Sequence, residues 1–84
     1  MRTKPITPPE IGAAMRKHRE SVGMTIWSLG QMSGVHPNTI SNYELGRSSP
    51  TLVNIISLVD ALSVSIPGLT IDEYVGRTTR DAER

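Results

Sequence analysis

Apolar positions recur at three- and four-residue intervals through most of this chain, the periodicity of helices with one buried face. Ile11, Met15, His18 and Val22 form the first such stripe. Ahead of it stands TPPE, where Thr7 can cap, Pro8 suits the first helical position, and Glu10 can reach back to close a capping box. Gly23 can end this helix in a left-handed conformation. A second, short helix is predicted from Thr25, another capping residue, through Leu29 to about Met32, with Gly34 as its breaker. Val35 is apolar and His36 is placed to cap. A third helix then runs from Pro37 to about Leu45, closed by Gly46. After the turn RSSPT, Thr51 caps a fourth helix with a wide apolar stripe of Leu52, Ile55, Ile56, Val59 and Leu62. Beyond SVSIPGL, Thr70 and Glu73 make a second capping box, opening a short fifth helix with Ile71, Tyr74 and Val75. No strand pattern interrupts this series. The expectation is an all-α, compact five-helix domain over residues 7–76, between a flexible arm at 1–6 and a flexible tail at 77–84.

Composition narrows the class. With 84 residues the chain makes one small domain with a modest core. It has no cysteine, so neither disulfides nor a thiolate metal site can supplement that core, and a reducing, cytoplasmic setting is expected. No apolar run approaches the ~20 residues of a membrane span. The N-terminal MRTKPITPPE lacks the apolar region of a signal peptide. Trp27, Tyr43 and Tyr74 are the only aromatics, so the core must be aliphatic. The net charge of +1 hides an asymmetry. Residues 1–50 carry six basic side chains against three acidic, and residues 51–84 carry three against five. Such a split orients a molecule toward a polyanion, although ordinary surface scatter produces it too.

The stretch SGVHPNTISNYELGR changes the picture more. A short helix, a turn containing glycine and a second helix have the spacing of a helix-turn-helix. Gly34 permits the reversal, Val35 plugs the angle, and Ile40 fixes the third helix against the second. With Ile40 and Tyr43 inward, Asn38, Thr39, Ser41 and Asn42 face outward, all small, polar and uncharged. Soluble helices usually expose Lys and Glu there. Asn pairs bidentately with adenine in the major groove, and Ser and Thr bond to bases or phosphates. Helix capping accounts equally for Asn38 but not for Asn42, which lies too deep in the helix.

IGAAMRKHRESVGMT, SLGQMSGVHPNTISNYELGR and PTLVNIISLVDALSVS together resemble the lambda repressor/Cro-like (Xre-type) helix-turn-helix family over roughly residues 11–65. The resemblance implies that the first turn of the recognition helix enters the major groove, presenting Pro37, Asn38, Ser41 and Asn42 to bases. Thr39, Arg47 and Ser48 match positions that meet phosphates. Arg19 and Glu44 match a pair tying the first helix to the recognition helix, which fixes geometry more than it adds stability. Pro37 suits the first helical position, where a missing N–H costs nothing, but it offers a base only apolar contact, such as to a thymine methyl. His36 beside it either donates to a phosphate or simply caps.

Two departures stand out from that pattern. Relatives usually place glutamine after the threonine of the second helix; here Ile26, Trp27 and Met32 make that helix unusually apolar. Two readings fit: a packing variant, with the N-terminal arm over Trp27, or a patch that contacts a protein. The second departure is IPGLT, whose Pro67 and Gly68 insert a loop before the last helix. Ile66, Leu69, Ile71, Tyr74 and Val75 beyond it are the expected dimer seam, or else the closing layer of a small core. Two histidines, no cysteine and no Gly-rich phosphate loop argue against an enzyme, a metal site or a cofactor. The leading expectation is a sequence-specific regulator of double-stranded DNA, a small homodimeric repressor. The alternative is a protein-interaction module, of antitoxin or antirepressor-partner type, working through Ile26, Trp27 and Met32.

Overall fold

The computed structural model describes residues 7–71 and Tyr74. Among these residues are four α-helices and no strand: α1 (Pro8–Ser21), α2 (Ile26–Ser33), α3 (Pro37–Glu44) and α4 (Leu52–Ser63). Each begins where a side chain satisfies an orphan backbone donor. Thr7 accepts from the Glu10 N–H while Glu10 accepts from the Thr7 N–H, a complete capping box. Thr25, His36 and Thr51 cap the next three helices in turn.

Two helices end in the same device. Gly23 has φ 69°, with its N–H bonded to the Glu20 carbonyl and the Met24 N–H bonded to that of Arg19. Gly46 has φ 74°, with its N–H on the Tyr43 carbonyl and the Arg47 N–H on that of Asn42. Both are Schellman motifs, in which a left-handed residue lets the chain cap the carbonyls of its own last turn. They fix the direction in which the chain leaves α1 and α3.

α3 packs against α1 and α2, and α2 packs against α4. The enclosed core is mostly aliphatic but, against expectation, also takes in Tyr43 and Tyr74. Met15, Leu29, Ile40, Leu58 and Leu62 are fully buried in it, each such side chain contributing about 1.5–3 kcal/mol relative to exposure. α4 is turned differently from the expected stripe. Ile55, Val59 and Leu62 are buried, but Leu52 and Ile56 are 58% and 44% exposed, and Leu58 and Ala61 are buried instead. Only Asn54, Ser57, Asp60 and Ser63 are polar in this helix. So apolar a cylinder does not declare its inner face; packing on α2 decides it.

Past α4, the Leu69 N–H bonds the Ile66 carbonyl across Pro67 and Gly68, and Gly68 has φ 84°. Pro followed by a left-handed Gly inside that bond is the arrangement of a type II turn. The expected fifth helix is not among the four: of its residues only Ile71, whose carbonyl accepts the Tyr74 N–H at 2.9 Å, and Tyr74 are described. Glu73 and Val75, like the expected arm at 1–6 and tail at 77–84, lie outside the described residues. Tyr74 is buried, and its hydroxyl meets His18 Nδ1 at 2.6 Å. Ile66, Leu69 and Ile71 are half-buried against the core.

Candidate nucleic-acid interface

The angle between α2 and α3 is built from small parts. Gly34 takes φ 78° and returns its N–H to the Gly30 carbonyl at 2.9 Å. Val35 is buried in the angle, and Ser33 Oγ accepts its N–H at 3.1 Å. Gly30 sits where a Cβ would come within 3.1 Å of the Pro37 ring and 3.0 Å of the Val35 carbonyl. The missing side chain lets the start of α3 lie against α2. Pro37 is thus half-buried. Its ring serves the turn as well as the first helical position, where it lacks only a donor with no partner to lose.

The inner side of α3 is anchored on both flanks. Arg19 donates from Nε and Nη2 to the two carboxylate oxygens of Glu44, at 2.8 and 2.9 Å, and from Nη1 to the Met24 carbonyl at 2.8 Å. Both residues are buried. A planar guanidinium facing a carboxylate this way has one geometry, so the pair sets the position of α3 on α1. The Glu44 hydrogen bond holds the Arg19 pKa above its ordinary value, so the guanidinium stays charged. Gly12 lies beneath the same contact, where a Cβ would collide with the Tyr43 carbonyl. On the other flank, Asn54 Nδ2 donates to the Tyr43 hydroxyl at 2.8 Å, linking α4 to α3. Among the described residues no buried side-chain nitrogen or oxygen lacks a partner.

The outer side differs. Asn38 is exposed, while Thr39, Ser41 and Asn42 are half-buried, and none of the four side chains makes a hydrogen bond to a described residue. His36, Arg47 and Ser48 are exposed beside them. His36 Nδ1 accepts the Asn38 N–H at 3.1 Å, which leaves the proton of a neutral imidazole on Nε2. Arg47 makes no ion pair with a described residue, whereas Arg16 is engaged by Glu20 at 3.0 Å. Between the N-terminal ends of α2 and α3 runs an open groove of about 480 Å³, lined by Met24, Ile26, Trp27, Pro37, Asn38 and Ser41 among others.

That groove separates the members of the apolar set on α2. Ile26 packs against the core, whereas Trp27 and Met32 are 72% and 46% exposed, and only Trp27 joins Ile26 along the groove. The pattern of residues gave no notice of Gly12 and Gly30 as contact points, nor of the Tyr43–Asn54 and His18–Tyr74 bonds. The one available signal was chemical: a buried tyrosine needs a partner for its hydroxyl.

No described helix is long and apolar enough to cross a membrane. Among the described residues no group of three His, Cys, Asp or Glu is placed to hold a metal ion. Comparison with curated proteins and with solved structures found no match. Residues 15–69, more than half of the chain, match the helix-turn-helix family. The match takes in the α1 partner Arg19, the whole of the α2–α3 turn and α4. The chain therefore belongs to the helix-turn-helix family of Cro/C1 type, the Xre-like DNA-binding regulators.

Proposed function

We propose that the protein is a small dimeric repressor that reads double-stranded DNA in the major groove with the outer side of α3. One observation carries this reading: four neighbouring side chains on α3 keep their donors and acceptors unspent, on a helix whose other side is fixed at every polar atom. Asn38 and Asn42 each have the amide that bonds adenine N6 and N7 together, and Ser41 bonds either base type. Pro37 adds apolar contact only.

Phosphates are met by Thr39, Arg47, Ser48 and His36. The His36 role reconciles its two expected functions, since Nδ1 caps α3 while Nε2–H stays free to donate outward. With few cations at this interface the salt dependence of binding is shallow, and nonspecific affinity is weak. The dimer seam is read at Ile66, Leu69 and Ile71, which are half-buried in one chain and have apolar surface left to cover. Tyr74, wholly inside, supports that segment through His18. Two such domains meet half-sites about 10 base pairs apart, or a multiple of that.

Selection from a random duplex library at physiological salt tests the reading. Enrichment of a two-fold motif is the expected result, and a reporter driven from that motif falls silent when the protein is supplied. A folded protein that enriches nothing overturns it. Loss of a protein partner, with DNA binding intact, on Trp27→Ala would favour the interaction-module reading instead.

A further inference from the structure

We propose that the groove between the N-terminal ends of α2 and α3 receives the 5-methyl group of a thymine, which makes Trp27 a specificity-determining residue. The inference rests on α3 being the base-contacting helix and extends the reading surface to α2.

Three features of the groove select this ligand. Its apolar lining comes from Met24, Ile26, Trp27 and Pro37, and the same groove includes Asn38 and Ser41, two of the proposed base contacts. Polar and apolar contacts are thus presented side by side to one stretch of DNA. Next, the groove has no unengaged charged side chain to offer a phosphate. Arg19 lines it, but its guanidinium donates to both Glu44 oxygens and to the Met24 carbonyl. An uncharged part of DNA fits better. Finally, the thymine 5-methyl is the apolar group displayed on base edges in the major groove, beside the adenine N6 and N7 atoms that an asparagine reads. An asparagine next to an indole and a proline ring therefore matches an adenine with a thymine in the same or the adjoining pair. Trp27, 72% exposed, has the area to cover that methyl without moving the core.

The test uses the operator recovered by selection. Each thymine is replaced in turn by deoxyuridine, which deletes the methyl and nothing else, and affinity is measured for the wild type, Trp27→Ala and Trp27→Phe. At one thymine per half-site the wild type is expected to weaken about fourfold, the effect of one buried methyl-sized group. Trp27→Ala weakens on the parent operator and becomes indifferent to that methyl, while Trp27→Phe stays sensitive. Equal weakening whatever thymine is altered assigns Trp27 to sugar or backbone and overturns the proposal. Unchanged DNA affinity in Trp27→Ala overturns it too. An operator bound without any methyl coupling sinks only the role of Trp27; failure to select an operator at all sinks the reading of α3 with it. Thermal melts of both variants show that the fold is retained, as expected for an exposed side chain.

Discussion

The two sides of α3 are built on opposite principles. Inward, Ile40, Tyr43 and Glu44 are buried, and the polar atoms of Tyr43 and Glu44 are held by Asn54 and Arg19. Outward, Asn38, Thr39, Ser41 and Asn42 make no side-chain bond to a described residue. A buried polar group without a partner is costly, so the inner side must be complete before the helix has a defined position. Groups that are left unsatisfied at the surface cost little, because water serves them until another partner arrives. The division gives a rigid helix with spare hydrogen bonds, the arrangement that reading base edges requires.

The comparison breaks most severely at the buried ion pair. Glu44→Ala leaves the buried Arg19 guanidinium with only the Met24 carbonyl and the Glu20 carboxylate 3.9 Å away, a loss of about 3–5 kcal/mol, which takes most of the stability of so small a domain. Urea titration should show the variant largely unfolded in dilute buffer, with DNA binding lost for that reason alone. The double change Arg19→Met with Glu44→Leu sharpens the point, since apolar replacement of both partners is often neutral or stabilising. A folded double variant with reduced sequence discrimination would show that the pair sets geometry.

The glycine seam comes next. Gly12→Ala drives a methyl into the Tyr43 carbonyl, and overpacking of this kind costs about 1–3 kcal/mol. Here the obstacle is backbone, so α3 itself must shift, and the same denaturation midpoint reports it. Smallest is Tyr43→Phe, which removes the bond from Asn54 and should lower stability by about 0.5–1.5 kcal/mol. DNA affinity in that variant should follow stability and not fall further.

What was legible along the chain was mostly local. Thr7, Thr25, His36 and Thr51 announce their helices because a cap needs only its own next few residues. Gly34 and Gly46 announce the turns for the same reason. The Arg19–Glu44 pair was anticipated from the family pattern; spacing along the chain, where the two lie 25 positions apart, carries no sign of it. Gly12 and Gly30 were illegible because each serves a neighbour from another helix, and a glycine does not show whether it bends its own chain or admits a second. The orientation of α4 was misjudged at Leu52 and Ile56 since its apolar residues lie on its exposed as well as its buried side. Trp27 was legible as an anomaly, but its place beside Pro37 and Asn38 depends on how α2 meets α3.

The most direct test of the two-sided helix is to measure stability and operator affinity together on Asn42→Ala. Unfolding free energy should stay within about 0.5 kcal/mol of the wild type, as for a surface change that touches no structural bond. Affinity for the selected operator should fall by about 1–3 kcal/mol, with discrimination relaxed at one base pair per half-site. Stability and affinity lost in parallel would mean that Asn42 belongs to the scaffold. Affinity retained in full would mean that the outer side of α3 does not read the DNA.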